Sequence, residues 1–134
     1  MSSDRWAFIV EDDAHNLHAI SNLLKDMGIS FKRNTTGQDV PDKVRSMQPR
    51  PTFLLLDMDL PLGDPFDILE ALKADPDLAE IPVIAMADDA RLGELPQVRL
   101  AGFAGFVGKP LPRKQFNDLL ERALSGEYVC LTAS

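Results

Sequence analysis

Short runs of apolar residues alternate along this chain with longer segments whose apolar positions recur every three or four residues. A run of about four to six apolar residues is too short for a helix and is typical of a strand buried on both faces of a parallel sheet. We therefore predict strands at residues 6–10, 52–57, 82–87 and 105–108, with a weaker one at residues 29–33.

The longer periodic segments predict five helices. The first begins after Asp13, whose carboxylate can cap it, and runs to about residue 27. The fourth ends near residues 101–102 and is expected to be frayed or to start late. The reason is that Gly93 and Pro96 lie within it, and proline costs about 3 kcal/mol in a helix interior. The other three helices are predicted at about residues 39–47, 66–74 and 113–124.

Strands that alternate with helices in this way predict an α/β fold. We expect a five-stranded parallel sheet with five helices distributed over its two faces. Right-handed crossovers leave few strand orders, and the flavodoxin-like order 2-1-3-4-5 is the commonest for five strands. A single domain over residues 1–134 is expected, with a core at about residues 5–125 and a C-terminal tail, residues 126–134, that has no strong signal.

The charge and composition of the chain exclude some classes of function. The 21 acidic residues outnumber the 14 Lys and Arg, and the net charge of −7 argues against binding to nucleic acid backbones. No apolar run approaches the length of about 18 residues that a membrane span needs, and no signal peptide is visible. Cys130 is the only cysteine, so an intramolecular disulfide is excluded. We therefore expect a cytoplasmic protein.

Acidic residues follow two of the predicted buried strands. Glu11 and Asp12 come directly after the first strand, and Asp57 ends the third, its expected neighbour in the sheet. These carboxylates would repel one another unless a divalent cation that prefers oxygen ligands, Mg²⁺ or Mn²⁺, lay among them. Lys109 follows the fifth strand, where its ammonium group could contact a phosphoryl group, and its bond to Pro110 is a candidate cis peptide. The alternative is that the strand-end acids are solvated loop residues.

Four sequence blocks, at residues 9–12, 54–61, 82–84 and 105–110, together resemble the receiver domain of two-component response regulators. The resemblance is to stand-alone, chemotaxis-regulator-like receivers. It implies phosphoryl transfer from a histidine kinase or a phosphotransfer protein, with Mg²⁺ or Mn²⁺ as cofactor, and signalling through contacts with a protein partner. It also implies individual roles: Asp57 as phosphoacceptor, Asp12, Asp57 and the backbone carbonyl of Asp59 as metal ligands, Glu11 as a ligand through water, and Lys109 as the phosphoryl contact.

One position departs from the pattern of this family. Receivers usually carry Ser or Thr at the end of the fourth strand, where this chain has Ala87, and no Ser or Thr occurs between Thr52 and Ser125. In the family, that hydroxyl binds the phosphoryl group and draws in an aromatic residue of the fifth strand, here Phe106. We expect metal binding and phosphorylation to survive, Phe106 to stay packed inward, and the switch coupling between Ala87 and Phe106 to be weakened.

Two further acids lie close to these positions. Asp59 and Asp89 come two residues after the acceptor and after the missing hydroxyl. The resemblance implies that they tune the lifetime of the phosphoryl group. Plain loop acids with little effect are the alternative.

The resemblance further implies an output surface on the fourth helix, fifth strand and fifth helix, where a homodimer could also form. We do not expect direct contacts with nucleic acid or membrane, nor enzymatic activity beyond phosphorylation and dephosphorylation of the protein itself. Two alternatives are open. One is a receiver-fold interaction module with weak or no phosphorylation, favoured by Ala87. The more remote one is a Mg²⁺-dependent phosphohydrolase of the haloacid dehalogenase superfamily, suggested by Asp57-Met58-Asp59.

Overall fold

One parallel sheet organises the computed structural model, which describes residues 5–60 and 63–131. Its six strands are β1 Trp6–Val10, β2 Ser30–Asn34, β3 Phe53–Asp57, β4 Val83–Ala87, β5 Gly105–Gly108 and β6 Val129–Leu131. The order across the sheet is β2-β1-β3-β4-β5-β6, and every neighbouring pair is parallel. The predicted α/β class and the order of the first five strands are confirmed.

Helices cover both faces of the sheet. Within the described residues they are α1 Ala14–Asp26, α2 Val40–Ser46, α3 Pro65–Ala74, a 3₁₀ helix Ala90–Glu94, α4 Pro96–Ala101 and α5 Arg113–Leu124. The apolar residues of α1 and α5 pack on one face, and those of α2, α3 and α4 pack on the other. No helix among the described residues is long and apolar enough to cross a membrane.

Successive strand residues point to opposite faces, so each central strand contributes to both layers of the core. In β1, Ala7 and Ile9 pack with α1 and α5, whereas Phe8 and Val10 pack on the side of α2 and α3. Burial on both faces explains why these strands are continuous apolar runs instead of alternating ones.

The start of α1 fixes the loop that carries two of the predicted site residues. The carboxylate of Asp13 accepts a hydrogen bond of 3.0 Å from the backbone N–H of Asn16, as an N-cap does. Glu11 and Asp12 therefore occupy a short, ordered connection between the end of β1 and the capped helix.

The fourth helical segment is divided, in agreement with the late start expected from its glycine and proline. Gly93 lies in the 3₁₀ helix, and Pro96 begins α4, where a missing N–H costs nothing. A Cβ atom on Gly93 would lie 2.5 Å from Cγ of Phe106 and 2.6 Å from Sγ of Cys130. The glycine thus lets the 3₁₀ helix approach β5 and β6 closely.

The sheet has one strand more than the five predicted, and the sixth lies in the C-terminal segment that carried no strong signal. Val129 to Leu131 pair in parallel with Gly105 to Val107 and extend the sheet by one strand. Three residues are too few to show a period, and the strand forms because an edge of β5 is available for pairing. Residue 61, which ends the second sequence block, and residues 132–134 of the tail lie outside the described residues.

Candidate functional site

The carboxyl ends of β1 and β3 bring the predicted acids together. Val10 of β1 pairs with Leu56 of β3, so the next residues along the chain, Glu11 and Asp57, lie side by side at the carboxyl edge of the sheet. Asp57 is buried, with 1% of its side chain exposed. Its Oδ1 accepts hydrogen bonds from Nζ of Lys109 at 2.8 Å and from the backbone N–H of Asp59 at 3.0 Å.

Glu11, Asp12 and Asp57 form a compact cluster. One carboxylate oxygen from each residue lies within 4.8 Å of the other two. Burial, together with the charge of the neighbouring Asp57 carboxylate, raises the pKa of Glu11 to about 7. Asp12 is exposed, but desolvation and the same neighbour raise the pKa of its carboxyl group as well. The folded protein therefore holds negative charge here at an electrostatic cost.

Lys109 is the cation that faces this cluster. Its backbone N–H donates to the carbonyl oxygen of Ala87 at 2.9 Å, and its peptide bond to Pro110 is cis. Only 6% of its side chain is exposed. Burial alone would lower the pKa of Lys109, but the hydrogen bond to Asp57 and the charges of Glu11 and Asp88 raise it. Four carboxylates lie within 4 Å of its Nζ: Asp57 at 2.8 Å, Glu11 at 3.6 Å, Asp59 at 3.7 Å and Asp88 at 3.8 Å.

The donor set of this site fits a small divalent cation. One ammonium group cannot neutralise the surrounding carboxylates, all of which offer oxygen ligands. The carboxylate of Glu11 is fully buried, yet only its Oε2 is hydrogen-bonded, to the backbone N–H of Asp13 at 3.1 Å. Its Oε1 accepts no hydrogen bond from the described part of the chain. A buried oxygen that lacks a donor is what water or a metal would satisfy.

The region of the missing hydroxyl is closed and apolar. Ala87 and Phe106 are fully buried and belong to the same core cluster, on the side of α3 and α4. Gly93 packs against the ring of Phe106. The ring of Phe106 thus points into the core, and β4 ends in Ala87, which carries no hydroxyl.

The two additional acids behave differently. Asp59 joins the cluster around Lys109, and its Oδ2 also accepts a hydrogen bond from the backbone N–H of Asp88 at 3.2 Å. Asp89 instead caps the 3₁₀ helix and pairs with Arg91 through both carboxylate oxygens. Sequence reasoning gave no role to Asp88, although its position directly after β4 follows the same strand-end rule that identified Glu11.

Comparison with known proteins identifies the family. A family model of the response regulator receiver domain matches residues 7–121. The chain belongs to this family. Receivers are the phosphoacceptor domains of two-component systems and are not enzymes in the usual sense. The Asp57-Met58-Asp59 segment, which suggested a phosphohydrolase, here begins at the last residue of β3 in a receiver.

Individual relatives agree with this assignment. The polar-differentiation response regulator DivK of Brucella anthropi is 29% identical over 116 residues, which cover 87% of this chain and 93% of DivK. Two solved structures share the fold. One is the receiver domain of the sensor histidine kinase PA1611 from Pseudomonas aeruginosa, which holds a magnesium ion in its active-site cleft. It matches with a TM-score of 0.79 at 22% identity, and the match covers 92% of this chain and 99% of that one. The chemotaxis response regulator CheY4 of Vibrio cholerae has a TM-score of 0.78 at 16% identity and covers 90% and 99%.

Proposed function

We propose that this receiver accepts a phosphoryl group on Asp57 from the phosphohistidine of a histidine kinase or a phosphotransfer protein, and that it transmits the signal through protein contacts. The observation that carries the proposal is the environment of the Asp57 carboxylate. It is buried, hydrogen-bonded by Lys109, and flanked by Glu11 and Asp12. Kinase and receiver would meet in the cytoplasm.

The transfer itself needs little from the protein beyond position and charge. A carboxylate oxygen of Asp57 bonds to phosphorus as the bond between phosphorus and the imidazole nitrogen breaks. The imidazole leaves neutral if its other nitrogen carries a proton. The ammonium group of Lys109, which donates to the Asp57 carboxylate, would then donate to the phosphoryl oxygens instead. Attack by water on the same phosphorus later releases phosphate and restores Asp57, which is the only chemistry we propose for the chain.

Asp12, Asp57 and the backbone carbonyl of Asp59 would hold Mg²⁺ or Mn²⁺ directly, with Glu11 reaching it through water. When bound, the cation neutralises charge that the carboxylates share with the phosphoryl oxygens. The oxygen-only donor set and the unsatisfied Oε1 of Glu11 support these roles.

An apolar groove of about 370 Å³ beside the site is a suitable contact surface for the phosphodonor. It lies between α1 and the loop before α5, and its lining includes Ala19, Leu23, Pro110 and Lys109 itself. A protein seated there would be next to the residue that hydrogen-bonds Asp57.

For the downstream partner we propose the side of α4, β5 and α5. Leu92 and Leu95 are partly exposed there, and Leu100 of α4 is 84% exposed. Because β6 pairs with the outer edge of β5, a partner or a second copy of the chain would meet β6 at that edge.

Phosphorylation on Asp57 can be tested with acetyl phosphate and with a phosphorylated histidine kinase, each with Mg²⁺, read by intact mass. We expect a gain of one phosphoryl group that is lost in Asp57→Asn and on chelation of the metal. Asp67→Asn changes an exposed acid of α3 and should behave as the wild type. No gain from either donor, or the same gain in Asp57→Asn, would contradict the proposal.

A second candidate function is a receiver-fold interaction module that binds partners without phosphorylation. It is favoured by one observation, the closed packing of Ala87 and Phe106. Beryllofluoride, a mimic of the phosphoryl group, distinguishes the two. Mg²⁺-dependent binding fits a phosphoacceptor, and an absence of binding fits the module.

A further inference from the structure

Among the residues that the structure describes, one hydrogen bond joins the loop after β3 to the loop after β4. It runs from the backbone N–H of Asp88 to Oδ2 of Asp59, over 3.2 Å. The next residue, Asp89, caps the 3₁₀ helix by accepting from the backbone N–H of Arg91. The carboxylate of Asp59 is therefore hydrogen-bonded to the backbone directly before the 3₁₀ helix, which α4 follows.

The same carboxylate is a close electrostatic neighbour of the acceptor. Oδ2 of Asp59 and Oδ1 of Asp57 lie 3.7 and 2.8 Å from the same Lys109 Nζ. The backbone N–H of Asp59 also donates to Asp57. A phosphoryl group on Asp57 would bring close to two negative charges and three strong acceptor oxygens into this space. Asp59 would then face a like charge of greater magnitude.

Asp59 can leave its position at low cost. Its side chain is 45% exposed, so a rotated carboxylate would be hydrated. The backbone N–H of Asp88 would lose its acceptor by this movement, and a phosphoryl oxygen is the replacement available beside Lys109.

We propose that the hydrogen bond between Asp59 and Asp88, here called the Asp59 latch, couples phosphorylation to the output side of the protein. In the unphosphorylated protein the carboxylate of Asp59 holds the backbone N–H of Asp88. A phosphoryl group on Asp57 expels that carboxylate, takes over the N–H, and shifts the 3₁₀ helix and α4. The latch rests on the proposed phosphorylation of Asp57 and supplies a contact that differs between the two states, without any hydroxyl between Thr52 and Ser125. Asp59 is a positioning residue in this scheme.

The test follows backbone amide signals of the intact protein by NMR, from residue 88 to residue 101, as Mg²⁺ and beryllofluoride are added. The wild type should show shifts over this segment on binding. Asp59→Asn keeps an acceptor for the Asp88 N–H but removes the charge, so it should bind beryllofluoride at least as tightly while the shifts become small. Asp59→Ala opens the latch permanently and should increase the hydrogen exchange rate of the Asp88 amide roughly 2- to 10-fold without any ligand.

Asp88→Asn is the matched control. Its carboxylate lies 3.8 Å from Lys109 Nζ, almost the same distance as that of Asp59, but it is not the acceptor in the latch. This variant removes an equivalent charge and should keep the full shifts. Equal responses in Asp59→Asn and Asp88→Asn, or binding by the wild type without shifts at residues 88–101, would overturn the latch alone. Failure of the wild type to bind beryllofluoride at all would overturn the proposed phosphoacceptor function, and the latch with it.

Discussion

The hydroxyl of Tyr128 donates a hydrogen bond of 2.7 Å to the carbonyl oxygen of Gly93, which ties the residue before β6 to the 3₁₀ helix. The guanidinium carbon of Arg99, in α4, lies over the same ring at 5.4 Å from its centroid. The short strand β6 is thus held by side-chain contacts as well as by pairing with β5. These contacts connect the C-terminal segment to the two helices that follow β4.

We expect Tyr128→Phe to lower the free energy of unfolding by about 1 kcal/mol, the usual net contribution of one hydrogen bond. The ring and its contact with Arg99 are retained in this variant, so the change isolates the hydroxyl. Urea denaturation followed by circular dichroism measures it. Tyr128→Ala, which also removes the ring, should cost more. Equal stability of wild type and Tyr128→Phe would show that the bond contributes nothing.

The phenol of Tyr128 should lose its proton only at a pH well above 10. Burial, helped by the charge of Cys130, raises its pKa to about 12 from the ordinary value of 10.0. The folded state therefore holds the phenolic proton more tightly than the unfolded state does. Its contribution to stability is present below pH 10 and is lost as the pH rises toward 12. Tyr128 is the only tyrosine, so phenolate absorbance reports it directly. A titration midpoint near 10 in the folded protein would contradict the prediction.

Gly93→Ala should destabilise the protein by about 1–3 kcal/mol, the range of overpacking in a full core. The new Cβ would lie 2.5 Å from Cγ of Phe106, whose side chain is fully buried, and 2.6 Å from Sγ of Cys130. Urea denaturation again gives the change. In a double-mutant cycle, Phe106→Ala should reduce the cost of Gly93→Ala because it removes Cγ, the atom nearest to the new Cβ. Additive costs would mean that the two residues do not interact.

The parts of the fold that the sequence predicted are those that local patterns control. Apolar runs of four to six residues predicted β3 and its neighbours. The rule that ligands lie at the carboxyl ends of parallel strands predicted that Glu11, Asp12 and Asp57 lie together. Gly93 and Pro96 likewise indicated a fourth helix that is frayed or starts late, and α4 begins at Pro96.

The parts that were missed depend on contacts between distant segments. Val129 to Leu131 form a strand only because β5 offers an edge and Tyr128 reaches the 3₁₀ helix. The bond between Asp59 and the backbone of Asp88 joins residues 29 positions apart and involves an N–H that no sequence pattern describes. Both features contact the segment between the end of β4 and α4.

Glu11→Gln should have opposite effects on the protein with and without metal. Without Mg²⁺ the variant is expected to be more stable than the wild type, because a neutral amide replaces a buried carboxylate that lies beside Asp57. With Mg²⁺ the order should reverse if Glu11 has its proposed role, because loss of a ligand that acts through water weakens metal affinity roughly 10- to 100-fold. Urea denaturation with and without Mg²⁺ and calorimetric titration of the metal give both quantities.

The control for this change is Glu70→Gln, which alters an exposed glutamate of α3 and should change neither quantity. A general effect of reduced negative charge would appear in both variants, whereas an effect of the site appears only in Glu11→Gln. If Glu11→Gln lowered stability in the absence of metal, the buried carboxylate would be stabilising in itself. The charge around Lys109 would then be balanced without a cation, and the physical argument for a metal at this site would fail.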